Sequence, residues 1–186
     1  MKKILSILLL FAASVTMNHA FAQRAGEYNL SSSSAENWSK SGLFVNATIG
    51  VGCGDLDSDF GFSVGLGYRY HFGNGLSWDV AKVTYSNPQT TYYFDDANTM
   101  SFLTGVRYLS MPILAGKPLY GNFAVGYQMN ISDFDSWHGF AYEIGAGVAL
   151  SRTISVGLVW EGDVAYVKHY DNANFGIFGA RLGINF

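Results

Sequence analysis

Phe175–Phe186, FGIFGARLGINF, closes the chain on a strict alternation. Phe178, Ala180, Leu182, Ile184 and Phe186 are apolar, while Gly179, Arg181, Gly183 and Asn185 between them are small or polar. A period of two is the mark of a strand with one apolar face. Chain ends are ordinarily polar and frayed, so a terminal phenylalanine on that face makes this end a structural element.

The other end of the chain indicates where such a strand lives. Met1, Lys2 and Lys3 form a basic start, Ile4–Ala13 an apolar run, and Ala20-Phe21-Ala22 a small-residue cleavage site before Gln23. This is the pattern of a secretory signal peptide over residues 1–22, and its apolar run is too short for a membrane-spanning helix. No later apolar run is long enough to span a bilayer as a helix either. Residues 23–42, QRAGEYNLSSSSAENWSKSG, are serine-rich without either period and are expected to form a flexible periplasmic lead-in. Cys53, the single cysteine, cannot form an internal disulfide and reads as a small residue at a strand end.

From Leu43 onward, alternating runs recur near residues 43–52, 60–72, 76–86, 99–109, 119–131, 139–150, 154–167 and 175–186. They predict an all-β domain of eight strands over residues 43–186 and no helix. One face carries large apolar groups, as in Val64, Leu66, Tyr68 and Tyr70 or Ile154, Val156, Leu158 and Trp160. The other carries glycines and polar groups, as in Ser63, Gly65, Gly67 and Arg69 or Gly157, Glu161 and Asp163. An eight-stranded barrel has an interior just wide enough to be filled by side chains, so the large apolar face cannot be the inner one. Turned outward, it would be an aggregation hazard in water and is what a bilayer requires. The expected fold is therefore an eight-stranded antiparallel up-and-down transmembrane β-barrel.

The links between runs fall into two sets. Those at Gly73–Gly75, Ser110–Pro118 and Ser151–Thr153 lie on the side of the chain ends, and two of them are tight. Those at Cys53–Asp59, Asn87–Asn98, Ser132–His138 and Lys168–Asn174 are longer and acidic, with Asp55, Asp57, Asp59, Asp95 and Asp96 foremost and Asp133, Asp135 and Asp171 beside them. Short periplasmic turns and longer outer loops are the usual asymmetry of outer-membrane barrels. Phe60, Phe72, Trp78, Tyr108, Phe140, Tyr166 and Phe186, at strand ends, are expected in the aromatic girdles at the two interfaces.

These features, from the signal peptide through the alternation over Leu43–Phe186 to the terminal RLGINF, resemble the small outer-membrane barrels of Gram-negative bacteria typified by OmpX and the membrane domain of OmpA. The resemblance implies a location in that outer membrane, contact with its lipid and lipopolysaccharide, and a monomeric barrel with a structural or surface-interaction role. It also implies that Phe186 is the assembly signal read by the barrel-assembly machinery. No cofactor is implied.

The polar face holds Arg69, Asp79, Arg107, Glu143, Glu161, Asp163 and Arg181. A symmetric turn at Gly73–Gly75 sets Arg69 opposite Asp79, and one at Ser151–Thr153 sets Glu143 opposite Glu161. A last outer link centred on Asp171 sets Glu161 opposite Arg181. Buried charges must be paired, so Arg181 is expected to bridge the two glutamates, with Arg107 or Arg69 reaching across the lumen. One strand breaks the alternation: Trp78 and Val80 share parity with Lys82, and Val83 and Tyr85 share parity with Asp79. A β-bulge near Ala81 or Lys82 would turn Lys82 inward; without it a lysine would face lipid, at a cost of roughly 2–4 kcal/mol near the midplane.

Such a network plugs the barrel; the alternative is a narrow porin-like channel gated by lumen ion pairs. Catalysis is not expected. Asp133, Ser136 and His138 with His169 and Asp171 are the residues a lipid-modifying site on the outer rim would use, but nothing fixes their spacing. No metal site is expected: DLDSDFG at Asp55–Gly61 begins like a calcium loop but has Phe60 where glycine is required and Leu66 where glutamate is required. An extracellular ligand would meet the outer links, including TTYYFDDAN at Thr90–Asn98. Nucleic acid is excluded by charge, since 14 acidic residues face 11 basic ones, two of them in the signal peptide.

Deleting Phe186 should reduce the amount of folded barrel in the outer membrane, read as the heat-modifiable band on a gel of membrane fractions; undiminished insertion would contradict the assigned role.

Overall fold

The computed structural model describes residues 38, 40–54, 60–88, 98–131, 138–166 and 173–186. They form eight strands: β1 (Gly42–Gly54), β2 (Gly61–Gly73), β3 (Leu76–Pro88), β4 (Thr99–Leu114), β5 (Lys117–Asn130), β6 (His138–Ala149), β7 (Ile154–Tyr166) and β8 (Ala173–Asn185). Each pairs antiparallel with its sequence neighbour, and β8 pairs back onto β1, giving a closed barrel. Closure removes the unpaired sheet edge that a bilayer would not tolerate. The terminal residue takes part, the Phe186 amide donating to the Leu43 carbonyl at 2.8 Å.

The faces follow the alternation. Val64, Leu66, Tyr68 and Tyr70 on β2, and Leu158 and Trp160 on β7, are exposed on the outside, while Ser63, Arg69, Asn122, Glu143, Asp163 and Arg181 are buried within. Of the girdle residues, Phe60, Phe72, Trp78, Phe140 and Phe186 are exposed, and Tyr108 is half-buried. The lumen also takes large apolar side chains where glycine faces them. Phe44 is buried, and a Cβ on Gly67 would lie 2.5 Å from its ring. Tyr120 is likewise seated over Gly147 and Gly157. Both aromatics share parity with a polar residue two positions on, Asn46 and Asn122, so the lumen is a mixed core rather than a purely polar one.

The ends of the barrel differ. At one, called the turn end, all three links are tight. Asn74 and Gly75 have φ of 52° and 80°, the left-handed pair of a two-residue hairpin turn. Ala115 and Gly116, at 50° and 73°, form another. The link expected over Ser110–Pro118 is therefore mostly strand. Pro112 and Pro118 face each other across an irregular rung, and two prolines in a short span conceal a strand that continues past them. Of the lead-in over residues 23–42, Trp38 packs against Leu109, Tyr120 and Ala149, with the Lys117 ammonium 5.3 Å from its ring centre. At the opposite, loop end, Asp55, Asp57, Asp59, Asp95, Asp96, Asp133, Asp135, Ser136, His169 and Asp171 lie outside the described residues.

The irregularity in β3 is a bulge. Asp79 pairs with Gly105 and Lys82 with Leu103, leaving two β3 residues opposite Thr104. The extra residue turns Lys82 into the lumen, where it is buried, and Val83 outward. A bulge leaves a main-chain group unpaired, here facing lipid, and Thr104 restores it: its hydroxyl donates to the Asp79 carbonyl at 3.1 Å and accepts from the Trp78 indole at 2.9 Å.

A charged lumen as the candidate functional site

Every carboxylate side chain among the described residues points into the barrel. Asp79, Glu143, Glu161 and Asp163 share it with Arg69, Lys82, Arg107 and Arg181, four of each sign. In a narrow, largely dry interior a charge is costly unless another compensates it.

At mid-lumen Glu143 receives Arg181 Nη1 on Oε1 at 2.6 Å and Nη2 on Oε2 at 2.8 Å, a bidentate fork. Lys82 Nζ donates to Oε2 of the same carboxylate, and Asn122 Nδ2 donates to Oε1 at 2.6 Å. Arg181 Nη2 also donates to Glu161 Oε1, and its Nε donates to the Thr48 hydroxyl at 3.2 Å. Arg181 thus joins two carboxylates, and Lys82 supplies the second cation. Glu161 is the looser member: its side chain is 12 % exposed, against 3 % for Glu143, and Oε2 has no partner.

A second pair lies toward the turn end. Arg69 donates from Nε to Asp79 Oδ1 at 2.5 Å, from Nη2 to Oδ2 at 2.9 Å and from Nη1 to Asn185 Oδ1 at 2.9 Å. Its guanidinium lies 4.4 Å from the centre of the Phe44 ring, so the buried aromatic supports the fork from below. Asp163, near the loop end, accepts from Gln128 Nε2 at 2.8 Å and stands apart from the central cluster. The space left in the lumen is small. A cavity of about 10 Å³ is bordered by both ion clusters, and one of about 30 Å³ lies between Glu161, Asp163 and Gln128. Each holds one or two water molecules at most.

The expected rungs Arg69–Asp79 and Glu143–Glu161 are present. The third is not: Arg181 pairs with Gly157, and Glu161 with Ile177, an offset of four residues. Four is even, so Arg181 keeps its inward face, and its long side chain reaches Glu161 along the diagonal. The cation that reaches across is Lys82; Arg107 instead stacks on Tyr120, 3.9 Å from the ring centre, and Arg69 stays with Asp79. Thr48 and Asn122 were not anticipated in the cluster, though each sits on the inward parity of its strand. Of the rim residues considered for catalysis, only His138 is described; it is exposed, with its ring 5.9 Å from that of Tyr127.

Replacing Glu143 by Gln leaves buried Lys82 without a carboxylate and Arg181 with Glu161 alone, and should cost about 3–5 kcal/mol of stability in lipid, whereas Glu161→Gln, at a looser site, should cost less. Urea unfolding of the two variants measures the difference, and equal losses would contradict the central place given to Glu143.

Comparison with known proteins gives structural likenesses and a family, of which the family and the likeness to Neisserial surface protein A bear on the fold. The chain is similar to the crystal structure of Neisserial surface protein A with a TM-score of 0.52 and 14 % identity, covering 78 % of this chain and 98 % of that one. It is also similar to the N-terminal β-barrel domain of Pseudomonas aeruginosa OprF, with a TM-score of 0.44, 13 % identity and coverage of 79 % and 100 %. For Ail, the attachment invasion locus protein of Yersinia pestis, the values are 0.43, 17 %, 78 % and 97 %. No curated protein matches the sequence. The family model described as the outer membrane protein beta-barrel domain matches residues 6–186, and the chain belongs to that family.

Proposed function

We propose that this protein is a plugged outer-membrane scaffold that holds its acidic outer links at the surface of a Gram-negative cell, with no catalytic role. The single observation that carries the reading is the ion cluster of Lys82, Glu143, Arg181 and Glu161, which occupies mid-lumen and leaves room for only a water or two. A barrel that spends its interior on compensated charges is built to be rigid and closed, so interaction falls to what it displays outside.

In this reading the signal peptide over residues 1–22 directs export, and Phe186 addresses the chain to the barrel-assembly machinery. The turn end faces the periplasm. The barrel works as a monomer, with lipid and lipopolysaccharide around its apolar outer face. An extracellular ligand would engage the acidic links, which carry Asp55, Asp57, Asp59, Asp95 and Asp96.

One observation favours a gated channel instead. Glu161 has a free carboxylate oxygen and borders the cavity on the loop side, so it is the member of the cluster best placed to let go.

Single-channel recording from the folded barrel in a planar bilayer separates these readings. The plugged scaffold predicts silence from both wild type and Glu161→Gln. Discrete openings in wild type that change with the substitution would overturn it in favour of the gate.

A further inference from the structure

Three of the four lumen cations are in ion pairs; Arg107 is in none among the described residues. It is only 5 % exposed, and its Nε has no hydrogen-bond partner. The face of Tyr120 supports its guanidinium but accepts no N–H. An uncompensated guanidinium with an orphaned donor is costly in a protein interior unless something brings negative charge to it.

The surroundings are arranged for that. Arg107 shares a cross-strand row with Ser77 and His71. His71 accepts or donates through Nδ1 to the Ser77 hydroxyl at 3.1 Å, and its Nε2 is also buried without a partner. A cavity of about 20 Å³ at the turn end is bordered by Arg107, Arg69, Ser77, Asn185, Lys40 and Arg152. Lys40 and Arg152 are exposed at its rim, and Trp38 forms one wall. Arg69 is neutralised by Asp79, which leaves Arg107, Lys40 and Arg152 as positive charge with no carboxylate partner among the described residues.

We propose that this turn-end mouth of the barrel binds a phosphate group, either as the free anion or as the headgroup of a lipid, with an oxygen or two entering the small cavity to Arg107, the buried anchor, and the rest of the group outside it at the rim beside Lys40 and Arg152. The planar guanidinium fork matches phosphate oxygens, and the low dielectric behind it strengthens the contact. Rim cations draw the anion in and are screened by salt.

The experiment is calorimetric titration of the folded full-length barrel, in an uncharged glycoside detergent, with inorganic phosphate and separately with dihexanoyl phosphatidic acid. Saturable binding that weakens with added sodium chloride is expected. Arg107→Gln should reduce affinity by about tenfold or more. The double variant Lys40→Gln/Arg152→Gln, changed only at exposed positions, should weaken binding several-fold and serves if Arg107→Gln fails to fold. Binding of inorganic phosphate identifies a free-anion site, and binding of the phosphatidic acid alone identifies a headgroup site; each supports the proposal if it depends on these residues. No saturable binding of either probe by folded wild type, or binding indifferent to the substitutions, overturns it.

Discussion

The central ion cluster of this barrel depends on one carboxylate. Glu143 accepts from Arg181, Lys82 and Asn122, and no other group among the described residues gathers two cations. The constraint behind it is geometric. Eight strands leave a lumen that side chains fill, so a charge there cannot keep a hydration shell and is costly unless another charge meets it. Arg181 carries the link onward to Glu161 and Thr48, and the Arg69–Asp79 fork repeats the same solution one layer toward the turn end. The result is an interior held by directional contacts where a soluble protein would use an apolar core.

The outside obeys the complementary rule. Lipid leaves no main-chain group unpaired, and β8 meets β1 to close the sheet. The β3 bulge is the place where the two rules meet. It brings Lys82 to Glu143, and Thr104 satisfies on the lipid side the carbonyl that the bulge exposes. A local irregularity in one strand therefore supplies a cation to the central cluster and tests the barrel wall at the same residue.

The fold was legible in the sequence because a period of two survives small errors in strand limits. Faces, strand number and the inward turn of Lys82 all come from parity. Register is less legible, since it depends on links. The symmetric turns at Asn74 and Arg152 placed Asp79 and Glu143 correctly, but the last outer link is not symmetric about Asp171, and β8 is offset by four residues. Because side chains of the arginine's length span that distance, the contact between Arg181 and Glu161 persists on a different rung. What escaped the sequence reading was the aromatic content of the lumen. Phe44 and Tyr120 lie on the polar parity, and the signal that would have placed them is the glycine each one faces, Gly67 for the first and Gly147 and Gly157 for the second. Prolines hid the end of β4 for a related reason, as a sequence rule about strand breakers gives way where a rung can be skipped.

The measurement that bears most directly on this account is a double-mutant cycle between Lys82→Gln and Glu143→Gln, read by urea unfolding in lipid bilayers. If the two groups belong to one compensated cluster, the double variant loses less stability than the sum of the single variants, with a coupling of about 1 kcal/mol or more. Additive losses would mean that the charges are held independently, and the lumen would have no central ion cluster on which the barrel depends.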